Sequence, residues 1–162
     1  MRILGIDPGT ATTGYGVIDS DEGELRVVTY GVITTPANWE MPHRLVWIYD
    51  ELCKIVQEYR PDTAAIEQLF FGKNVTTALT VGQARGVLLL ALAHAHLPIA
   101  EYPPMKIKEA ITGYGNADKP QMQMMVRQLL NLEETPRPDD AADGLAIAIT
   151  HAQYMRYEAL VA

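Results

Sequence analysis

Near its N-terminus the chain reads RILGIDPGTATTGYGVIDSDEGELRVVTYGVITT at residues 2–35, a stretch that predicts three consecutive β-strands. The opening RILGID is a short apolar run that ends at a Pro-Gly turn, as a buried strand does. The runs over 14–20 and 24–35 are rich in β-branched and aromatic residues, and Asp21-Glu22-Gly23 between them is typical of a hairpin turn. We therefore predict that three antiparallel strands begin the fold.

The rest of the chain alternates helical and strand patterns. Apolar residues recur at helical spacing over 41–59, and Pro61 separates this helix from the short apolar run TAAIE at 63–67. Asn74 is placed to cap a long helix rich in Ala, Leu and Gly. The order βββ-α-β-α-β-α-α predicts an α/β fold, a five-stranded mixed sheet flanked by helices on both faces. The later predicted elements are a helix over 75–96, a strand over 99–102, a short helix over 103–111, and helices over about 119–131 and 140–157.

Length and composition indicate one globular domain. The chain has 162 residues, of which 48% are hydrophobic and 20% charged, and this composition argues against disorder. We expect a single domain over 1–157 and a short C-terminal tail over 158–162. Cys53 is the one cysteine, which excludes an intramolecular disulfide and a zinc ribbon and suits a reducing compartment. The opening MRILGIDPGT has too short an apolar run for a signal peptide, and no stretch looks long and apolar enough to span a membrane. We therefore expect a cytoplasmic protein with no membrane contact.

Net charge argues against a nucleic-acid partner, but its distribution does not. The chain carries −7 in total, whereas nucleic-acid-binding proteins usually present a positive face. Residues 68–132 hold six basic and three acidic side chains, while the segments before and after them carry −6 and −4. The middle third is therefore suited to face a polyanion while acidic residues elsewhere hold divalent cations.

Two carboxylates follow predicted strands. Asp7 ends the first strand and precedes Pro8-Gly9, and Glu67 ends the strand TAAIE. Ligands bind at such strand ends in open α/β sheets. The alternatives are ordinary, because Asp7 can bond its own turn and Glu67 can be the first exposed residue after a buried strand.

A third acidic group, RPDDAADGLA at 137–146, is more informative. Asp140 and Asp143 lie three residues apart and share one face of the predicted helix, where two like charges repel unless a cation lies between them. Asp139 and Asp143 can share that face too. Capping of the helix N-terminus explains Asp139 and Asp140 but leaves Asp143 unexplained.

These acids suit a hard cation bound by oxygen. Magnesium takes a few carboxylates together with substrate phosphate oxygens, and two such ions can activate water and stabilise the leaving oxygen of a phosphodiester. The sequence has no phosphate-binding G-x-x-x-x-G-K-[ST] loop, no H-E-x-x-H motif and no G-x-S-x-G motif that would favour other chemistry.

Five motifs in register resemble the RuvC family of Holliday junction resolvases over nearly the whole chain, from Ile3 to about His151. They are GIDPGT, AIEQLFFGKN, VGQARG, KEAITGYGNADK and DAADGLAIAITH. The resemblance implies an RNase H-like fold and a homodimer. It also implies an endonuclease that uses Mg²⁺ or Mn²⁺, with about two ions per site, to nick two strands of a four-way junction symmetrically in recombination and repair. A branch-migration complex of the RuvA and RuvB type is an implied partner.

The resemblance also assigns residues. It places the catalytic and metal-binding acids at Asp7, Glu67, Asp140 and Asp143, and the D-x-x-D pattern selects Asp140 over Asp139. Lys108 and Lys119 match basic positions near the scissile phosphate, with Lys119 included in the catalytic set. Gly144 stands where the family is expected to have alanine. Glycine in a helix costs up to about 1 kcal/mol relative to alanine, and this difference does not affect the chemistry.

The remaining DNA-binding candidates lie in the middle third. Phe70 matches an aromatic residue that the family uses against bases near the crossover, although it is alternatively a core residue. Basic residues that either contact phosphate or are simply solvated are Lys73, Arg85, Lys106 and Arg127, of which we include Lys73 in the predicted DNA-binding set. The Gly- and Ala-rich helix after Asn74 is a candidate dimer interface, although its small residues fit core packing equally well.

Three other functions compete with the resolvase. GIDPGTATTG resembles the first phosphate loop of actin-like ATPases, but the second such loop is missing and those proteins are typically twice as long. A related RNase H-like nuclease acting on RNA would use the same acids. A catalytically inactive DNA-binding module is disfavoured because all four acids are present.

Overall fold

In the computed structural model, which describes residues 1–69 and 74–162, one mixed sheet runs through the middle of the fold. Its strands are β1 (Arg2–Asp7), β2 (Thr12–Asp21), β3 (Glu24–Thr34), β4 (Thr63–Glu67) and β5 (Ile99–Tyr102). Their spatial order is β3-β2-β1-β4-β5; the first three strands in sequence are antiparallel, β4 runs parallel to β1, and β5 runs parallel to β4. The predicted mixed sheet with three antiparallel strands at its start is confirmed.

The described part of the chain contains five helices, and all five were predicted. They are α1 (Met41–Tyr59), α2 (Val75–His94), α3 (Pro104–Thr112), α4 (Lys119–Leu129) and α5 (Asp139–Val161). Our predicted end for the last helix, at 157, was wrong. The residues that we assigned to a C-terminal tail continue α5 through Val161, and they are exposed to solvent.

Helices cover both faces of the sheet because successive residues of β1 point to opposite sides. Ile3 packs in one core with residues of α3, α4 and α5. Leu4 packs in the other core with residues of α1 and α2. The predicted arrangement is confirmed, and α5 lies over the same two strands, β1 and β2, that begin the fold.

Glycines make the contact between α5 and the sheet unusually close. A Cβ added at Gly14 would collide with the carbonyl oxygen of Asp140, and one added at Gly5 would collide with that of Gly144. A Cβ at Gly144 would lie 2.6 Å from the carbonyl carbon of Tyr15. We expected Gly144 to act only through helix propensity, but the structure places it in the helix–sheet contact. Without side chains at these positions the backbone of α5 can rest directly on β1 and β2.

Helix α2 begins as predicted but is less buried than a core helix. The side-chain oxygen of Asn74 accepts a hydrogen bond from the backbone N–H of Thr77 at 3.2 Å. Contrary to our expectation, this helix is long and apolar enough to cross a membrane by length and composition, although core helices of soluble proteins pass the same test. Only 28% of the most apolar 18-residue stretch of this helix is buried. Much of its apolar surface, including Leu79 and Leu90, therefore faces outward.

Candidate metal centre

Asp7 and Glu67 lie side by side at the edge of the sheet. Asp7 is the last residue of β1 and Glu67 is the last residue of β4, and the preceding residues Ile6 and Ile66 are register partners in the parallel pair. Parallel strands that end together deliver their last side chains to the same place. The two predicted strand-end acids are thus brought together by the pairing of β1 with β4.

The first turns of α5 bring two further acids to this edge. Asp140 lies in the first turn of α5 and Asp143 one turn further on. One carboxylate oxygen each from Asp7, Asp140 and Asp143 lies within 4.8 Å of the others. Glu67 lies beside this group, close enough for its charge to raise the pKa of Asp7, and it lines the same cleft as Asp7 and Asp143. All four predicted acids therefore meet, with Glu67 at one side of the cluster.

Packing these carboxyl groups together suppresses their ionisation. Burial, followed by the charges of Glu67 and Asp143, raises the pKa of Asp7 to about 9. Burial also raises the pKa of Glu67 and of Asp143, although the neighbouring Asp7 and the nearby lysines, Lys108 for Glu67 and Lys119 for Asp143, oppose these shifts. At neutral pH the cluster consequently holds a proton where cations would neutralise it. An all-oxygen donor set of this kind fits a divalent cation.

The adjacent aspartates Asp139 and Asp140 have different surroundings. The side chain of Asp139 turns toward α4, where one carboxylate oxygen accepts a hydrogen bond from Gln123 Nε2 at 3.0 Å and the other lies 3.5 Å from Lys119 Nζ. Asp140 instead offers its oxygen to the acid cluster. Asp140, rather than Asp139, therefore contributes an oxygen to the acid cluster.

A cleft of about 370 Å³ opens beside the acids. Its charged lining consists of Asp7, Glu67, Asp118 and Asp143 together with Lys108 of α3 and Lys119 of α4. Its apolar lining consists of Pro104, Ile107, Ala117, Met122, Ala146 and Ile147. Cations at the acids and the two ammonium groups would surround a phosphate bound in this cleft.

Lys119 bridges the cleft to the acids. Its Nζ lies 4.0 Å from Asp143 Oδ2, as well as near Asp139. Partial burial lowers its pKa, but the charges of Asp143 and Asp139 outweigh this effect and raise the pKa above the ordinary value. The ammonium group therefore stays protonated at any pH at which the protein would act.

Two predicted DNA-binding residues, Phe70 and Lys73, lie outside the described residues. From the sequence, Arg85 was either a phosphate contact or a solvated charge, whereas the structure shows its guanidinium bonded to the backbone of Glu67. No local pattern around Arg85 signals this contact, because it depends on how α2 packs against the end of β4.

Comparisons with known proteins agree with this geometry. Residues 3–151 match the family model described as crossover junction endodeoxyribonuclease RuvC. The enzyme of that name from Chloroflexus aurantiacus is 61% identical over 94% of this chain and 93% of its own length. The corresponding enzyme from Syntrophomonas wolfei is 53% identical over 96% of this chain and 91% of its own length.

Solved structures show the same fold. The structure of T. thermophilus RuvC in complex with Holliday junction substrate has a TM-score of 0.92 and 36% sequence identity, and the match covers 98% of this chain and 96% of that one. A yeast mitochondrial Holliday junction resolvase has a TM-score of 0.70 at 16% identity, covering 95% of this chain and 80% of that one, and supports the fold alone. The predicted RNase H-like architecture is confirmed.

Proposed function

Because this chain belongs to the RuvC family of crossover junction endodeoxyribonucleases, we propose that it resolves four-way (Holliday) DNA junctions by symmetric paired nicks. The observation that carries the proposal is the meeting of four acids at the mouth of a lysine-lined cleft. Hydrolysis of a phosphodiester at such a site would serve recombination and repair. A cytoplasmic location and cooperation with a branch-migration complex of the RuvA and RuvB type follow from the same proposal.

The acids would hold the metal. Asp7 is close to Asp140 and Asp143 and beside Glu67, so these four carboxylates would together hold the Mg²⁺ or Mn²⁺ ions, about two per site. Bound there, such ions would supply an activated water and charge stabilisation for the leaving 3′ oxygen. Because the pKa values of the acids are raised, binding of a metal would displace a proton from the cluster.

The two lysines would act on the phosphate. The ammonium group of Lys119 lies 4.0 Å from Asp143, where it would offset negative charge on the pentavalent phosphate. Lys108 lines the same cleft and would hold the strand being cut. Phe70 and Lys73 would contact the junction, Phe70 by stacking on an unpaired base, which contributes about 1–3 kcal/mol in single-strand binding proteins.

A homodimer would supply two sites for two equivalent strands. Helix α2 carries an outward stripe that fits this role. Val75, Leu79 and Leu90 on this helix are 71%, 62% and 49% exposed. A Cβ at Gly86 would meet nothing within 4 Å, so a second helix can approach there closely. The stripe, consisting of Val75, Leu79, Gln83, Gly86, Leu90 and Ala93, has the spacing of a helix–helix seam.

Cleavage of a labelled synthetic four-way junction, compared with linear duplex of equal sequence, tests the proposal. We expect paired symmetric nicks on the junction only, with Mg²⁺ or Mn²⁺ present and none in EDTA. Asp140→Asn should abolish cutting and retain junction binding, whereas Asp139→Asn should retain most of the cutting. Binding without cutting in any metal, or cutting of structured RNA in preference to the junction, would contradict the proposal.

A further inference from the structure

Arg85 reaches from α2 to the end of the strand that carries Glu67. Its Nε donates a hydrogen bond to the backbone carbonyl oxygen of Glu67 at 3.2 Å. Its Nη2 forms an ion pair with Glu101 of the neighbouring strand β5. The side chain is only 16% exposed. Arg85 therefore ties α2 to the ends of two strands at the edge of the acid cluster.

The backbone of Glu67 is held from two sides. The residue after it, Gln68, donates its N–H to the carbonyl oxygen of Tyr102 on β5 at 2.9 Å, and Arg85 binds the carbonyl of Glu67 itself. β4 ends at Glu67, and the β1 residue register-paired with Ile66, Ile6, is followed by Asp7 and then by Pro8, which has no N–H to offer. Without the guanidinium, this carbonyl would lose its partner at the point from which the carboxylate projects.

A second cavity beside Glu67 offers its side chain an alternative position. This cavity, about 250 Å³, is lined by Glu67 and by Arg85, whereas the cleft that holds the lysines is lined by Glu67 but not by Arg85. Glu67 thus stands between the two spaces. Removal of the Arg85 side chain would enlarge the second cavity and release the backbone that keeps the carboxylate beside Asp7.

The same helix also supports the loop that follows Asp7. Thr10 Oγ1 donates a hydrogen bond to the carbonyl oxygen of Thr80 at 2.8 Å, and Thr10 is 8% exposed. Thr80 lies about one and a half turns before Arg85 on α2. One helix therefore holds the segments next to both strand-end acids.

We propose that Arg85 is a positioning residue that keeps Glu67 in its metal-binding orientation. The inference rests on the proposed function in that it takes the acid cluster to bind divalent ions. It differs from the phosphate contact considered from sequence, because the guanidinium is largely buried and its charge is paired with Glu101. Partners that orient metal ligands in this way change metal affinity even though they do not touch the metal.

Binding of Mn²⁺ to the DNA-free protein, followed by the electron paramagnetic resonance signal of free Mn²⁺, tests this role. We expect Arg85→Gln to weaken binding about tenfold, the lower end of the range for such outer partners. The Mn²⁺ affinity of Arg85→Lys should lie between those of the unaltered protein and Arg85→Gln, because an ammonium group does not reproduce the planar contact with two partners. Arg127→Gln is the matched control, since Arg127 Nε likewise donates to a backbone carbonyl, that of Leu132, at 3.3 Å.

Cleavage kinetics provide the second readout. The Mn²⁺ concentration for half-maximal junction cutting should rise about tenfold in Arg85→Gln, while the rate at saturating Mn²⁺ stays within about threefold of the unaltered protein. Equal Mn²⁺ affinity of the folded Arg85→Gln or Arg85→Lys protein and the unaltered one would overturn the inference and leave the proposed function standing. An equal loss in Arg127→Gln would also overturn it. Failure of the unaltered protein to bind Mn²⁺ would overturn both.

Discussion

Replacing Gly144 with alanine tests whether the close contact between α5 and the sheet sets the spacing of the acid cluster. Gly144 directly follows Asp143 and faces the backbone of β2 at Tyr15 and Gly16. Any movement that makes room for a methyl group therefore also moves Asp143. The relevant separation is that between the oxygens of Asp143 and Asp7.

The structure gives the size of the perturbation. A Cβ at position 144 would lie 2.6 Å from the carbonyl carbon of Tyr15 and 2.8 Å from the nitrogen of Gly16, and ordinary contact begins at 3.4 Å. Relief of the closest contact requires α5 and β2 to separate by about 0.8 Å. Overpacking of this kind costs about 1–3 kcal/mol, while alanine gains about 1 kcal/mol over glycine inside a helix. We expect Gly144→Ala to lose up to about 2 kcal/mol of unfolding free energy.

Urea denaturation in EDTA, followed by circular dichroism, measures the loss. Gly82→Ala is the matched control, because a Cβ there would meet only the side-chain end of Leu69, at 3.3 Å. This control should gain up to about 1 kcal/mol, so the same chemical change should act with opposite sign at the two positions. Because ligand distances in metal sites tolerate only about 0.2 Å, Mn²⁺ affinity should also fall in Gly144→Ala and not in the control.

A Gly144→Ala protein as stable as Gly82→Ala, with unchanged Mn²⁺ affinity, would refute this reasoning. It would mean that α5 can move away from β2 without changing the positions of the acids. Gly144 would then act only through helix propensity, as the sequence alone indicated. A loss of stability with unchanged Mn²⁺ affinity would separate the packing role of Gly144 from the spacing of the cluster.

Three further predictions concern the acids, the core and α2. The pKa of Asp7 is about 9 in the fold and 3.8 in the unfolded chain, so stability that is present below about pH 4 is lost as the pH rises toward 9. Asp7→Asn should flatten this pH-dependent loss, which is on the order of a few kcal/mol. Urea titrations in EDTA at pH 5 and at pH 8 measure the difference. Tyr102→Phe should lower the free energy of unfolding by about 1–3 kcal/mol in the same titrations, because the Tyr102 hydroxyl is hydrogen-bonded to the buried His151 at 2.7 Å. Tyr49→Phe is the control: it removes an exposed Tyr–His hydrogen bond and should change the free energy of unfolding by under about 0.5 kcal/mol. Leu90→Glu should convert a dimer to a monomer in analytical ultracentrifugation and Tyr157→Glu should not; a dimer that persists in Leu90→Glu would exclude the α2 stripe as the interface.

Periodicity predicted most of the fold because each element carries its own local signal. The alternating runs on either side of Asp21-Glu22-Gly23 paired as expected, and Asn74 capped α2 as its residue type indicated. The end of α5 was misjudged because the helix outlasts the core. All residues from Arg156 onward are exposed, so no buried pattern marks the last turns, and the helical backbone continues to Val161.

The acids were predictable in kind but not in arrangement. Strand ends pointed to Asp7 and Glu67 and helical spacing to Asp143, whereas the choice of Asp140 over Asp139 came from the resemblance to the RuvC family; the structure brings the four acids together. The contacts that hold them depend on distances between elements far apart in sequence, and these leave no local pattern. Gly144 is an example, since its value lies in the missing Cβ and only the position of β2 reveals this.

The contacts that hold the acid cluster together stabilise the metal-free fold, whereas the clustered carboxyl groups destabilise it. The glycine contacts of α5 and the hydrogen bond from Arg85 keep the acids close, although burial and mutual repulsion raise the pKa of Asp7. A ligand at about 100 times its dissociation constant stabilises a fold by about 2.7 kcal/mol, which is the same order as the cost of ionising Asp7 at neutral pH. A bound divalent ion would therefore offset this cost, so metal should raise the thermal midpoint of the unaltered protein more at pH 8 than at pH 6. Because the extra effect at high pH requires an ionisable Asp7, Asp7→Asn should show little of it, and an equal shift in both proteins would contradict the coupling between metal and proton.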